Sequence, residues 1–192
     1  MIMSFHQHAM AVNRVEQRLR RVTAALDAAS VPYAVVGGNA VAAWVSTIDP
    51  AAARTTKDVD LLVDRSQVDP VTRTLGGLGF RREDLRDLVV FLDPDEPSRR
   101  SGVHLVWAGE RIRPSNPVVS PTVDESVRSP EGFRVVTLPA LVRMKLTSFR
   151  PIDQAHLEDM LELGLIDAAV RAALPHELLG RLAQIESARG DE

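Results

Sequence analysis

Asp58 and Asp60 stand two residues apart inside KDVDLLV (57–63), an otherwise apolar run of strand length. In a strand, residues i and i+2 point the same way, so both carboxylates project from one face while Val59 and Leu61 project from the other. Two acids that close repel each other, which raises one pKa, and burying either is costly. A fold that keeps this segment as a strand has two solutions. It can turn the acidic face to water, with Arg54 and Lys57 for company. Or it can place a cation between the acids, for which an oxygen-preferring divalent ion such as Mg²⁺ is the usual means. The pair alone leaves both open.

A second stretch, YAVVGGNAVAAWV (33–45), reads as an apolar strand closed by Gly37-Gly38, then a helix. At such a turn, free backbone N–H groups and the positive end of the helix meet. Glycine lets a phosphate approach the backbone closely, and Asn39 adds a side-chain donor. Glycine at a strand-to-helix turn also serves geometry alone. The net charge of −3 and pI near 6.0 give no broad basic footprint, so a polyanionic ligand must be held locally. The sequence contains no cysteine, which excludes disulfides and thiolate metal sites and fits a reducing compartment. No run approaches the length of a membrane span and no signal-peptide core is evident, so a cytoplasmic location without membrane partners is expected.

The rest of the chain supports a mixed α/β half, residues 1–138, followed by a helical half, residues 139–192, packed on it. Val15, Leu19, Val22 and Leu26 recur at helical spacing in a helix expected over about 12–29. Residues 46–56 read as a loop, and a helix is expected between Ser66 and Phe80. LVVFL (88–92) and GVHLVWA (102–108) read as strands able to pair antiparallel. Residues 109–133 are proline-rich and irregular, and RVVTL (134–138) is a short strand. Beyond Pro139, Leu141, Met144, Lys145 and Ser148 share one helical face.

The order strand, Gly-Gly, helix, loop, Arg, then strand with Asp-x-Asp resembles the nucleotidyltransferase superfamily, the fold of DNA polymerase beta. Its nearest likeness is to the minimal and AbiEii-like bacterial members. YAVVGGNAVAAWV and RTTKDVDLLV are similar to that family's G-G-x-A helix and R-x-T-x-D-x-D strand. Lys145, Arg150 and Asp153 in LPALVRMKLTSFRPIDQAHLEDML stand at its K…R-x-x-D spacing. The resemblance implies an α/β (α+β) fold with a mixed sheet flanked by helices and a C-terminal helical region. It also implies transfer of a nucleoside monophosphate from an NTP to an acceptor hydroxyl on RNA, protein or a small molecule. On that likeness Gly37 and Gly38 cradle the triphosphate, with Asn39, Arg54 and Lys145 as further nucleotide contacts. Asp58 and Asp60 hold Mg²⁺ (or Mn²⁺). For Asp153, capping of its own helix is the simpler role, and for Arg150 a surface ion pair competes with a phosphate contact.

The family's third acid falls on a neighbouring strand, where this chain has His104. Imidazole is a poor Mg²⁺ ligand and suits Zn²⁺ or similar metals better, but it can serve as general base to the acceptor. Glu110, Asp93 or Asp95 would replace the acid only in another register. His104 keeps open an alternative, a catalytically degenerate protein that binds nucleotide or regulates a partner. The AbiEii likeness suggests a toxin-like role with an antitoxin-like partner. Arg81-Arg82, Arg99-Arg100 and Arg111 with Arg113 would hold an RNA backbone if they gathered on one face.

Overall fold

In the computed structural model, which describes residues 5–86 and 88–190, the first element is helix α1, Phe5–Ala28. It buries the stripe Val15, Leu19, Val22 and Leu26, whose spacing of three or four residues keeps them on one side. The helix stops before Pro32, whose missing N–H and fixed φ favour the change to extended chain. Strand β1 (Ala34–Val36) follows, fully buried, and runs directly into helix α2 (Gly37–Val45). The glycines are thus the first two residues of the helix rather than the end of the strand. Trp44 ties α2 down by donating from Nε1 to the Val136 carbonyl at 3.0 Å.

After a loop with one 3-10 turn, strand β2 (Val59–Val63) enters the centre of the sheet. Helix α3 (Val68–Gly77) carries Pro70 in its first turn, where no intrahelical N–H bond is lost. Strands β3 (Arg81–Leu85), β4 (Leu88–Leu92) and β5 (Val103–Trp107) come next, then β6 (Ser126–Arg128) and β7 (Arg134–Val136). They make one seven-stranded sheet in the order β3-β4-β5-β2-β1-β7-β6. The β4–β5 pair is antiparallel, as the sequence predicts. Strands β2 and β5 are parallel, and β1 and β2 antiparallel.

β3 and β6 are absent from the sequence reading. Both sit at sheet edges, and neither buries a residue. RREDL is a charged edge strand, a composition that blocks further pairing but erases the apolar alternation by which strands are recognised.

The C-terminal region is helical: α4 (Leu138–Ser148), α5 (Pro151–Glu162), α6 (Ala168–Ala172) and α7 (His176–Gly190). Phe149, in the left-handed region at φ 49°, turns the chain sharply between α4 and α5. α4 and α5 pack on α2, and α7 packs on both. A continuous hydrophobic core joins Val22 and Leu26 of α1, Tyr33–Val36, Leu61–Val63, Leu141 and Leu146 of α4, and Leu157 and Met160 of α5. Among the described residues no helix is long and apolar enough to cross a membrane.

α1 is also anchored by charge. Arg18, 2% exposed, donates to Asp93 at 2.7 Å and to Glu96 at 2.9 Å, and Arg21 shares Asp93. Removing one partner from such a buried pair costs about 3–5 kcal/mol, because the other charge is left desolvated.

Candidate active site

One row of the sheet carries the acidic pair's surroundings. Val36, the last residue of β1, lies opposite Asp60 of β2, which lies opposite His104 of β5. Residues opposite one another across paired strands share a face, so this register alone sets the imidazole beside the carboxylate. Asp58 precedes the strand and turns the same way. His104 Nδ1 lies 3.5 Å from Asp58 Oδ2 and 3.3 Å from Asp60 Oδ1. Asp58, Asp60 and His104 each offer a ligand atom within 4.8 Å of the others.

The hydrogen bonds define the protonation. His104 Nε2 is 2.7 Å from the Arg99 carbonyl, which only accepts, so Nε2 carries a hydrogen. Burial by itself would lower the His104 pKa, but the hydrogen bonds to Asp58 and Asp60 outweigh it and push it up to about 10. A proton on Nδ1 therefore takes the place between the carboxylates that a cation would take. Burial likewise works against the ionised Asp58, yet the hydrogen bonds from His104 and Thr56 leave its pKa lowered. Thr56 Oγ1 donates to Asp58 Oδ1 at 2.7 Å. Both ring nitrogens of His104 are thus engaged, and neither is free to receive an acceptor's proton. The donor set of two carboxylates and one oriented imidazole fits a divalent ion.

The glycine turn closes on the same point. Gly37 has φ +67°, a conformation L side chains rarely adopt, and a Cβ there would stand 2.0 Å from Asp60 Oδ2. A Cβ on Gly38 would stand 2.9 Å from Thr56 Cβ. Both positions need glycine because the backbone passes against the acids and their supporting threonine. The first N–H groups of α2 are therefore presented next to Asp60.

Asp58, Asp60, Gly37, Gly38, Thr56 and His104 line a cleft of about 580 Å³, and Lys145, Arg150, Asp153 and His156 close it from the helical side. The helical face anticipated from the sequence, Leu141, Met144, Lys145 and Ser148, lines this cleft as a set. Asp153 is fully buried and accepts from Lys145 Nζ at 2.8 Å, Ser148 Oγ at 2.7 Å and Arg150 Nε at 2.7 Å. Burial would raise its pKa, but these partners hold it far below the usual carboxylate range. Its bond from the Arg150 backbone N–H, 3.2 Å, also caps α5. Two cations share one carboxylate, so the cluster keeps one net positive charge. Arg150 also lies in the field of Asp60 and Asp58, and its own pKa is raised, chiefly by Asp153.

Two sequence candidates lie outside the cleft lining. Asn39 donates its side-chain N–H to the Asp58 carbonyl at 2.7 Å and so holds the acidic strand in place. Arg54 is half exposed and forks onto Asp159, with Nη2 2.9 Å from Oδ1. The alternative acids are committed elsewhere: Asp93 to Arg18 and Arg21, Asp95 to Arg21, and Glu110 to Arg65. Two of the basic clusters meet at one carboxylate, and the third reaches the cleft. Arg81 and Arg99 share Glu83, Arg82 pairs with Asp84, and only Arg113 reaches the cleft.

Sequence reasoning missed Thr56 and His156 as cleft residues. Thr56 falls within the R-x-T-x-D-x-D pattern, and His156 follows Asp153 by three residues on one helical face, so both had a readable signal. Arg113 was legible only as part of a basic cluster, because its aperiodic segment gives no sign of where it folds. His156 is 7% exposed, and its Nδ1 has no hydrogen-bond partner among the described residues. Burial, helped by the nearby Lys145 and Arg54 against Asp153 and Asp159, lowers its pKa from 6.5 to about 4. Above pH 6.5 the ring is neutral in both states. Between 6.5 and 4 the unfolded chain takes up a proton that the folded chain refuses, so stability falls with acidification. Over that interval the loss attributable to this ring is about 3 kcal/mol. His156→Gln is expected to lose correspondingly less stability than wild type between pH 7.5 and 4.5 in urea titrations; an equal loss in both would refute the assignment.

No protein-family model matches the sequence, and no curated protein does. Solved structures do. An antigenic nucleotidyltransferase-like protein from Paracoccidioides brasiliensis superposes with TM-score 0.62 at 15% identity, over 94% of this chain and 91% of that one. The antibiotic-resistance factor ANT(2'')-Ia matches in its solution structure with TM-score 0.58 at 18% identity, over 95% of this chain and all of the other. Its crystal structure with adenylyl-2''-tobramycin matches with TM-score 0.54 at 18% identity, over 92% and 99%. The seven-stranded mixed sheet, its glycine-led helix and the helices that follow are thus a nucleotidyltransferase-like fold.

Proposed function

We propose that the protein transfers a nucleoside monophosphate from an NTP to an acceptor hydroxyl. The observation that carries this is the placement of Asp58 and Asp60 against the left-handed Gly37 turn, in one cleft with Lys145 and Arg150. The triphosphate lies along Gly37 and Gly38, where the helix N-terminus and free N–H groups favour negative charge. Lys145 and Arg150, with their surplus positive charge, face it from the other wall. Asp58, Asp60 and His104 would hold a divalent ion, which when bound stabilises charge developing on the α-phosphate. The acceptor oxygen bonds the α-phosphorus, the bond to the bridging oxygen of the β-phosphate breaks, pyrophosphate leaves, and the hydroxyl proton passes to solvent. The chain's contribution is to align the attacking and leaving oxygens.

Charge narrows the acceptor. Among the described residues lining the cleft, the only acids are Asp58, Asp60 and Asp153, all three engaged with His104, Lys145 or Arg150, while Arg113 adds a further positive charge. A polycationic acceptor such as tobramycin would meet no free carboxylate. An anionic one, such as an RNA terminus, is favoured. The test is incubation with α-³²P- or γ-³²P-labelled NTPs, a divalent metal and candidate acceptors. Label is expected in an RNA acceptor from the α position only, sensitive to chelation, with none in tobramycin. Transfer from the γ position, or no transfer under any metal, would overturn the reading.

A further inference from the structure

The next inference rests on the reading of Asp58 and Asp60 as a divalent-cation site and concerns which cation they select. We infer that His104 turns this site into one that prefers a nitrogen-accepting first-row ion, of the series Mn²⁺ to Zn²⁺, over Mg²⁺.

The ring's orientation sets the preference. Nε2 donates to the Arg99 carbonyl at 2.7 Å, so an ion that displaces the proton from Nδ1 finds the ring's lone pair there. That lone pair faces the gap bounded by Asp58 Oδ2 and Asp60 Oδ1, at 3.5 and 3.3 Å. A metal-ligating histidine is typically held this way, its other N–H donated to a backbone carbonyl or carboxylate. The spacing agrees. Ligands bonded at about 2.1 Å to one ion stand about 3.0 to 3.5 Å apart.

The ring is also hard to bypass. His104 sits mid-sheet, paired with Asp60 on one side and Val90 on the other, and its side chain is 14% exposed. An ion reaching both carboxylates therefore meets the nitrogen. Mg²⁺ demands near-octahedral oxygen coordination and keeps its waters reluctantly exchanged, so an imidazole in that shell is a penalty. For first-row ions the same nitrogen is a favourable ligand, increasingly so from Mn²⁺ towards Zn²⁺. A carboxylate at position 104 would give a three-acid site with no such bias. The departure at this one position thus changes metal choice rather than abolishing the site.

The test uses the whole protein without nucleotide or acceptor. Calorimetric titration with Mg²⁺, Mn²⁺ and Zn²⁺ is expected to give Mn²⁺ at least about tenfold tighter than Mg²⁺, and Zn²⁺ tighter still. In His104→Asp the Zn²⁺/Mg²⁺ affinity ratio is expected to fall at least about tenfold. Electron spin-echo spectroscopy of bound Mn²⁺ should show ¹⁴N coupling in wild type and none in His104→Asp. Coupling that persists in the variant would point to His156 and overturn the inference, as would equal affinities for Mg²⁺ and Mn²⁺ or no coupling in wild type. The wild-type spectrum decides even if the variant does not fold. A protein that shows the coupling yet transfers no nucleotide keeps this inference and sinks the transfer reading. One that transfers with Mg²⁺ and shows no coupling does the reverse.

Discussion

Replacing Asp60 by asparagine is expected to lower nucleotidyl transfer by at least about a hundredfold while leaving the fold in place. Asp60 is the residue on which three features converge. Its carboxylate faces His104 Nδ1 at 3.3 Å, it lies under the Gly37 turn, and its strand is the centre of the sheet. Asparagine keeps the shape and the backbone pairing to Val36 and His104 but removes the charge that draws a cation to the gap. The hydrogen-bonding sheet and the buried neighbours Val59, Leu61 and Leu62 are untouched. Circular dichroism and the melting temperature should therefore report a folded protein, while α-label transfer and metal titration report the loss. Undiminished transfer in this variant would remove Asp60 from the site.

The second large effect is expected from Gly37→Ala, which adds only a methyl group. A non-glycine residue at φ +67° costs about 1–2 kcal/mol of backbone energy. The new Cβ would also stand 2.0 Å from Asp60 Oδ2 and 2.9 Å from its Cγ. Contacts that short are relieved by swinging the carboxylate, because a side-chain end moves more cheaply than two paired strands. The carboxylate then leaves the row it shares with His104. Affinity for Mn²⁺ is expected to drop at least about tenfold and transfer with it, whereas the melting temperature falls only about 2–8 °C. A variant with full metal affinity and full transfer would show that the turn has no part in positioning Asp60. A loss confined to stability would show the same.

Much of this site was readable without coordinates. Each readable part depends on neighbours in sequence. The i, i+2 rule put Asp58 and Asp60 on one face. The glycine pair marked a strand-to-helix turn, and the helical face Leu141, Met144, Lys145 and Ser148 is the one that lines the cleft. The parts that stayed hidden depend on partners far along the chain. Asn39 and Arg54 had the residue types of phosphate contacts, but their side chains are spent on the Asp58 carbonyl and on Asp159, 105 positions from Arg54. Nothing local in the sequence marks Arg18 for burial; Asp93 and Glu96, more than seventy residues on, close over it. β3 was hidden for a different reason. An edge strand needs backbone partners but no apolar face, and RREDL has none.

By itself, then, the sequence determined the local conformations and the conflict they create: two acids on one face of an apolar strand, and a glycine-led turn from strand to helix. Those are consequences of periods of two and 3.6 residues and of the missing Cβ, and they need no other segment. Only the tertiary structure decided how the conflict is resolved. The parallel register of β2 with β5 puts His104 opposite Asp60, and the left-handed corner at Phe149 brings Arg150 and Asp153 back onto Lys145. Register between strands over forty residues apart is set by which faces can be buried together, a property of the packed whole. The same packing oriented the imidazole towards the gap between the two acids.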